Sequence, residues 1–276
     1  MHQDKPKKES KLYWWPGGKR LIFTKEKATP EFWDQQWLTE DWKKQITQTR
    51  KSRYWRRIIG KYLPDRRSRI LEGGCGCGHL VDALACWGYN AIGIDFAQKT
   101  VAKVNEVMPN LDIRYGDLRQ LDFEDKYLDG YLSLGVIEHF WEGYDEILDE
   151  MKRVMKQGGY AFVSFPCISR LDRLNIFFSG YKQLEECDMP EDFYQFGLDA
   201  KVVKRHFECV GFECVHTYWQ FGLAGLQRIV PGLKKTQESL WRFSEKSRLI
   251  KLFTVASSFL LSPLCGHSVM LVFKKK

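Results

Sequence analysis

The sequence of 276 residues predicts an α/β domain built around a mostly parallel sheet. From residue 69 onward, short apolar runs typical of buried strands alternate with amphipathic segments of helical length. A glycine-rich turn stands between the first of these strands and the first helix, and an acidic residue follows each of the next two strands. Strands separated by helices favour right-handed crossovers between parallel neighbours.

The predicted elements follow one another regularly up to residue 166. The expected strands are residues 69–74, 91–96, 113–117, 127–135, 160–166, 212–219 and 268–273. The expected helices are one that ends at Gly88, followed by residues 99–108, 144–156 and 199–210. The rhythm breaks in two places, which predicts insertions at residues 167–198 and 220–267. The first insertion is interpreted as a lid or substrate loop.

Residues 1–60 are predicted to form an aromatic-basic cap segment in front of a domain that spans residues 61–276. Six of the ten tryptophans lie in this segment: Trp14, Trp15, Trp33, Trp37, Trp42 and Trp55. Pro30 is expected to begin a helix that places Trp33 and Trp37 on one apolar stripe. Two interpretations stay open for these rings: packing onto the core, or a cover over the substrate.

The net charge of +8 conceals a strong asymmetry along the chain. Residues 1–70 carry 19 basic and 8 acidic side chains, and residues 227–276 carry 10 and 2, which leaves the middle of the chain at −11. Both basic ends suit an anionic partner, whether nucleic acid, phospholipid headgroups or a phosphorylated substrate. A solvated basic surface is the alternative interpretation.

Residues 241–262 mix basic side chains with large apolar ones, which predicts contact with an anionic membrane surface. Packing of a helical insertion over the sheet is the alternative. The apolar stretch that begins at Leu249 is interrupted by Lys251, Pro263 and Gly266. Its uninterrupted part is shorter than the roughly 20 residues that a membrane-spanning helix needs.

Cysteine and histidine usage predicts neither disulfides nor a metal. The eight cysteines include no Cys-x-x-Cys pair, so reduced thiols are expected. No two histidines have the spacing of metal ligands on a helix, so neither structural zinc nor another bound metal is expected. The charged first residues are not followed by the apolar region of a secretory signal. We therefore expect a cytoplasmic protein, with the membrane contact being peripheral.

The most informative motif reads Glu-Gly-Gly-Cys-Gly-Cys-Gly and starts at Glu72. Gly74, Gly76 and Gly78 allow the backbone to turn tightly and to approach a ligand without interference from a Cβ atom. A turn of this kind at a helix N-terminus suits an anionic group such as the carboxylate of a methionine moiety. The nicotinamide-dinucleotide pattern would require Gly or Ala where this sequence has His79, which disfavours that alternative.

Two further acidic residues follow the next strands. Asp95 ends the second strand, where a carboxylate can accept hydrogen bonds from both hydroxyls of a ribose, and Phe96 beside it can lie against a purine. Asp117 follows the third strand and can accept from an adenine amino group, with the backbone of Leu118 close by. The carboxyl ends of parallel strands are where open α/β sheets bind ligands.

Residues 69–166 resemble the core of the class I S-adenosylmethionine-dependent methyltransferases, particularly the type 11 group similar to ubiquinone- and menaquinone-pathway enzymes. The resemblance implies a Rossmann-like fold: a mostly parallel seven-stranded sheet with an antiparallel last strand, here joined by an N-terminal helical segment and the two insertions. It also implies S-adenosyl-L-methionine as the cofactor. Cys75, Cys77 and the long insertion 220–267 depart from the group.

The resemblance also implies roles for individual residues. In it, Glu72, Gly74, Gly76 and Gly78 surround the methionine part, Asp95 holds the ribose, Phe96, Asp117 and Leu118 lie beside the adenine, and the backbone of Ser133 and Leu134 meets the methionine amino group. The Glu-His pair that ends at His139 resembles the close of the fourth strand in this group.

His139 is the predicted catalytic residue. Family members line the acceptor pocket at this point of the fold, and an imidazole titrates near neutrality. A base is needed only if the acceptor must lose a proton, as a hydroxyl would. The alternative is a histidine that is packed under the loop or hydrogen-bonded to the backbone.

A small-molecule, lipid-linked or saccharide acceptor is favoured, with oxygen as the methylated atom. A nucleic-acid methyltransferase, including one that acts on RNA, is an alternative suggested by the basic, tryptophan-rich N-terminus. It is less favoured because the fourth strand lacks both the Asn/Asp-Pro-Pro-aromatic pattern and the Pro-Cys pair. A non-catalytic protein that binds S-adenosylmethionine is the other alternative. The sequence does not indicate an oligomeric state.

Overall fold

The computed structural model describes residues 11–39, 41–184, 189–233, 235–236, 239, 242–243 and 247–276. The described chain forms two compact units. The first takes its described residues from 11–27, 165–203 and 217–270, and the second takes its described residues from 28–164, 204–216 and 271–276.

The second unit is organised by a seven-stranded sheet. Its strands are β3 Arg69–Gly73, β4 Asn90–Asp95, β5 Asp112–Tyr115, β6 Leu128–Leu134, β7 Met155–Pro166, β10 Phe212–Gln220 and β11 Ser268–Lys275, in the order β10-β11-β7-β6-β3-β4-β5. The pairings of β3 with β4 and β6, of β4 with β5 and of β6 with β7 are all parallel. The predicted α/β fold is confirmed.

Helices accompany these strands. They are α1 Pro30–Leu38, α2 Trp42–Arg50, α3 Arg53–Tyr62, α4 His79–Cys86, α5 Gln98–Val107, α6 Asp145–Val154 and α8 Ala200–Cys209. α6 illustrates why such segments are helical. Its acidic first turn and basic last turn match the helix dipole. One apolar stripe at helical spacing is buried: Ile147, Leu148, Met151 and Val154.

The first unit contains a four-stranded sheet that the sequence did not reveal. Its strands are β1 Lys11–Trp15, β2 Arg20–Thr24, β8 Lys182–Gln183 and β9 Phe193–Gly197, in the order β8-β1-β2-β9. The first insertion, interpreted as a loop, therefore contributes two strands, and α7 Arg170–Phe177 precedes them. The segment lacked a clear period because its strands are short and pair with strands about 170 residues away.

A buried ion pair joins α7 to α9 Gly222–Ile229 in the first unit. The Arg228 guanidinium donates to the carboxylate of Asp172, which is fully buried. The same carboxylate accepts from the Tyr181 hydroxyl at 2.6 Å and from the Ser169 backbone N–H at 2.8 Å. The charge of Asp172 is thereby compensated inside the protein.

The second insertion ends in one long helix, α10 Arg248–Cys265. Pro263 lies inside its last turns and does not end the helix. The predicted membrane-contact segment 241–262 lies partly outside the described residues. Among the residues that are described, no helix has the length and apolar character needed to cross a membrane.

Candidate active site

The register of the parallel strands gathers the predicted site residues at one edge of the sheet. Gly73, the last residue of β3, is paired with Ile94 of β4 on one side and with Ser133 of β6 on the other. Asp95 is paired in turn with Tyr115, where β5 ends. The carboxyl ends of four neighbouring strands, β6-β3-β4-β5, thus meet around the turn that follows β3.

That turn is the predicted glycine-rich loop. Gly74, Gly76 and Gly78 have φ angles of 72°, 50° and 69°, in the left-handed region that glycine adopts without strain. A Cβ atom on Gly76 would lie 2.6 Å from the indole ring of Trp37, so the close approach of this ring also requires glycine. Gly78 caps α4 without a side-chain hydrogen bond. The N-terminal N–H groups of α4 are therefore suited to an anionic group.

Asp95 holds the loop in shape. Its carboxylate accepts a hydrogen bond from the Gly76 backbone N–H at 2.7 Å and another from the Ala97 N–H at 2.9 Å. Burial raises the pKa of this carboxyl, and the two N–H donors oppose that rise. Because each carboxylate oxygen has two lone pairs, Asp95 retains acceptor capacity for ribose hydroxyls.

Two buried oxygen atoms near the loop have no hydrogen-bond partner among the described residues: Glu72 Oε2 and Ser133 Oγ. Burial, followed by the negative charge of Asp95, raises the pKa of Glu72 to about 8. Buried polar atoms of this kind cost free energy unless they are paired. A ligand that brings an ammonium and other donors to this edge would provide hydrogen-bond partners for both oxygen atoms. These residues therefore fit the methionine part of S-adenosylmethionine.

The residues predicted to surround the adenine lie at the ends of β4 and β5. Phe96 follows Asp95 and is 39% exposed, which leaves its ring accessible to a purine. Asp117 is bound by the guanidinium of Arg119 at 2.6 Å, and this hydrogen bond lowers the pKa of its carboxyl. Leu118 is buried, with its side chain against Gly73.

The two predicted residues of β6 lie side by side at its carboxyl end. Ser133 is fully buried and Leu134, the last residue of the strand, is half-buried. Gly135 then reverses the chain with a φ of 76°. A 3-10 turn, Ile137–His139, follows directly.

His139, the predicted base, lies in an aromatic cluster. Its ring contacts Trp33 edge to face, with centroids 5.2 Å apart. Trp33 stacks in turn on Trp37 at 5.8 Å, and Trp37 covers Gly76. A chain of three rings thus connects the predicted base to the glycine-rich loop.

Helix α1 brings the two tryptophans to the site, a role that the sequence left open. Asp34 on α1 is buried and accepts hydrogen bonds from the backbone N–H of Thr100 at 2.7 Å and from its hydroxyl at 2.8 Å. Trp37 also packs against the core beneath the loop, together with Trp42. The packing interpretation therefore applies to Trp37, whereas a cover over the substrate stays a prediction. The signal in the sequence was the aromatic pair four residues apart.

Glu138 is a second buried glutamate, one residue before His139. Burial raises the pKa of its carboxyl to about 8. Its Oε2 also lacks a hydrogen-bond partner in the described part of the chain. No role was predicted for this side chain, because a lone glutamate next to a histidine gives no sign of burial in a sequence.

A glycine-rich turn after the first parallel strand, with buried acids around it and an acid after each of the next two strands, defines the nucleoside-binding α/β domain of the class I methyltransferases. Residues 71–163 match a family model described as a methyltransferase domain. This match confirms, for that part of the chain, the predicted resemblance to S-adenosylmethionine-dependent methyltransferases.

Curated relatives and a solved structure agree with this assignment. A Mycolicibacterium smegmatis protein named "Probable S-adenosylmethionine-dependent methyltransferase" is 34% identical over 161 residues, which cover 58% of each chain. A ubiquinone biosynthesis O-methyltransferase from Roseobacter denitrificans is 31% identical over 100 residues, or 35% of this chain and 40% of that protein. The chain thus matches only about half the length of these relatives.

The fold is similar to that of a SAM-dependent methyltransferase from Methanosarcina mazei. The TM-score is 0.51 at 16% identity, and the match covers 79% of this chain and 96% of the other. Similarity at this level of identity shows a shared fold alone.

Proposed function

We propose that this protein is an S-adenosylmethionine-dependent methyltransferase that methylates an oxygen atom of a small-molecule, lipid-linked or saccharide acceptor. The observation that carries the proposal is the convergence of the glycine-rich loop with Glu72, Asp95 and Ser133 at one edge of the sheet. An O-methyltransferase among the relatives supports oxygen as the accepting atom.

Residues of the loop and of the strand ends would each bind a different part of the cofactor. The N-terminus of α4 and Glu72 suit the carboxylate and the ammonium of the methionine part, and Asp95 suits the ribose. Phe96 offers its ring to the adenine, and Asp117 can accept from the adenine amino group alongside its contact with Arg119. The cofactor supplies a methyl group on a positively charged sulfur.

The chain has two tasks in the transfer itself. The first is to hold the acceptor in line, because orientation of reacting atoms roughly 3–3.5 Å apart provides much of the rate in such reactions. The second is to remove the proton of an acceptor hydroxyl, which we assign to the His139 imidazole. The contact with Trp33 supports this assignment, since it fixes the orientation of the ring.

Calorimetry tests the cofactor half of the proposal. The purified chain should bind S-adenosylmethionine and S-adenosylhomocysteine but not NAD. Asp95→Ala should weaken binding by at least about tenfold, because it removes the acceptor for the ribose hydroxyls. Binding of NAD together with no response to S-adenosylmethionine would contradict the proposal.

Mass spectrometry tests the acceptor half. The protein would be incubated with cofactor labelled in the methyl group and with separate lipid, glycan, small-metabolite and RNA fractions of a cell extract. A labelled product with a methyl ether or ester bond is expected. Label found only in RNA or on nitrogen would refute the proposed acceptor class but leave the cofactor assignment intact.

A further inference from the structure

Helices α9 and α10 of the first unit pack in unusually close contact. The backbone N–H of Gly222 donates to Ser262 Oγ at 3.0 Å. A Cβ atom on Gly222 would lie 2.3 Å from the carbonyl oxygen of Ser258, and one on Gly225 would lie 1.5 Å from that of Cys265. Only glycine permits this approach of the two backbones. Contacts between small residues are typical of helix pairs in membranes.

The stripe of α10 that faces inward is small and partly polar. Thr254, Ser262 and Cys265 are buried, and the hydroxyls of Thr254 and Ser262 donate to backbone carbonyls of the same helix one turn earlier. Most helices of water-soluble proteins bury their large apolar residues on the inward face. α10 has the reverse arrangement.

The outward side of α10 carries the large apolar residues. Those that are 61–78% exposed are Leu249, Leu252, Phe253, Phe259 and Leu260. α7, which contacts α10, ends in a further exposed aromatic pair: its last residue, Phe177, is 79% exposed and its C-cap, Phe178, is 75% exposed. Contiguous exposed apolar surface marks a binding site on a soluble protein.

Exposed basic side chains in and before α10 indicate the partner. Lys251 on α10 is exposed, as are Lys235 and Arg242 before it. Residues 227–270, which belong to the same unit as α10, carry seven basic and only two acidic side chains. Apolar side chains next to basic ones are the combination that binds the headgroup region of an anionic bilayer. A second copy of this chain would bring the same positive charge and would be repelled.

We propose that the outward face of α10, defined by Leu249, Leu252, Phe253, Phe259 and Leu260, binds an anionic membrane surface without crossing it. The exposed aromatic pair at the end of α7 extends the apolar contact. The inference is independent of methyl transfer, because none of these residues belongs to the cofactor site.

Sedimentation with lipid vesicles tests the proposal on the full chain. One vesicle set contains equal parts of phosphatidylglycerol and phosphatidylcholine, and the other contains phosphatidylcholine alone. The variant Phe259→Gln/Leu260→Gln removes two apolar side chains and keeps a good helix former at each position. The control is Val107→Gln/Val202→Gln, which changes two residues that are 53% and 55% exposed on other helices.

The wild type and the control should sediment with the anionic vesicles at low salt, and high salt should reduce this binding. The α10 variant should bind at least about tenfold more weakly at an unchanged melting temperature, because both side chains are exposed. Lys251→Glu should weaken binding to anionic vesicles only. Absence of wild-type binding at low salt, or equal binding by the α10 variant, would overturn the proposal. Size-exclusion chromatography that shows a dimer which the α10 variant abolishes would also overturn it, in favour of a second copy.

Discussion

Replacing Glu72 by Gln distinguishes two effects of this buried carboxyl: its effect on the stability of the fold and its effect on cofactor binding. The folded-state pKa of Glu72 is about 8, against 4.5 for an ordinary glutamate. At pH 7 the unfolded chain has therefore released this proton while the folded chain keeps it. The free energy of unfolding falls as the pH rises from about 4.5 to about 8, and it is level above that range.

The size of the effect follows from the two pKa values. Because only the folded chain keeps this proton, the free energy of unfolding of the cofactor-free protein is about 3 kcal/mol lower at pH 7 than at acidic pH. Gln has the shape of the protonated carboxyl and carries no charge, so Glu72→Gln should raise the unfolding free energy at pH 7 by up to that amount. Urea unfolding of the cofactor-free protein at pH 5 and pH 7 measures it, and the gain should be much smaller at pH 5.

Cofactor binding should change the favoured state of the Glu72 carboxyl from protonated to charged. An ammonium close to the carboxyl favours its charged form, so binding at pH 7 should release about one proton. Calorimetric titrations in phosphate and in Tris, which differ in ionisation enthalpy, count that proton. Glu72→Gln should bind S-adenosylmethionine more weakly and release no proton.

Glu138→Gln is the matched control, since Glu138 is equally buried and has the same pKa of about 8. It should stabilise the protein in the same pH range but leave the proton release on cofactor binding unchanged. If the binding enthalpy of the wild type is the same in both buffers, or if Glu72→Gln still releases the proton, then Glu72 does not face the ammonium.

Three further predictions concern other parts of the molecule. Gly76→Ala places a Cβ atom 2.6 Å from the ring of Trp37 at a positive φ, so it should cost about 1–3 kcal/mol of stability and weaken cofactor binding; a melting temperature and an affinity equal to wild type would contradict this. His139→Ala should lower turnover of the identified acceptor by about a hundredfold at unchanged cofactor affinity. Wild-type turnover would exclude a catalytic role, whereas joint loss of cofactor binding and thermal stability would indicate packing against its neighbours. Asp172→Asn leaves the buried Arg228 without its counter-charge and should cost about 3–5 kcal/mol in urea unfolding, and a loss below about 1 kcal/mol would show that water reaches the guanidinium.

The residues proposed to bind the cofactor could be predicted from short, local stretches of the sequence. The turn after β3 needs glycine where φ is positive, the strands are largely apolar runs, and Asp95 is the last residue of a buried strand. Each of these signals occupies a few consecutive residues. Chain order alone then places them at one edge, because parallel strands joined by helices end on the same side of a sheet.

Features that depend on partners far apart in the chain needed the tertiary structure. β1 and β2 form a sheet with strands about 170 residues away. A local sequence pattern cannot predict which distant strand will pair with them. The contact of Trp37 with Gly76 arises only when separate segments meet, and so does the burial of Glu138, whose Oε2 lacks a partner in the described part of the chain.

Helix α10 also shows the difference between what the sequence determines and what the tertiary structure determines. The sequence by itself determined that residues 249–260 are mostly apolar and are preceded by basic residues. It could not determine which stripe of the helix is buried, since the apolar residues outnumber those that one face can hold. The tertiary structure decided this through Gly222 and Gly225, whose missing side chains let α9 approach the small stripe of α10 and leave the large apolar residues outside. Local propensities act within a few residues, whereas the choice of a buried face depends on the shape of the surface that is packed against it.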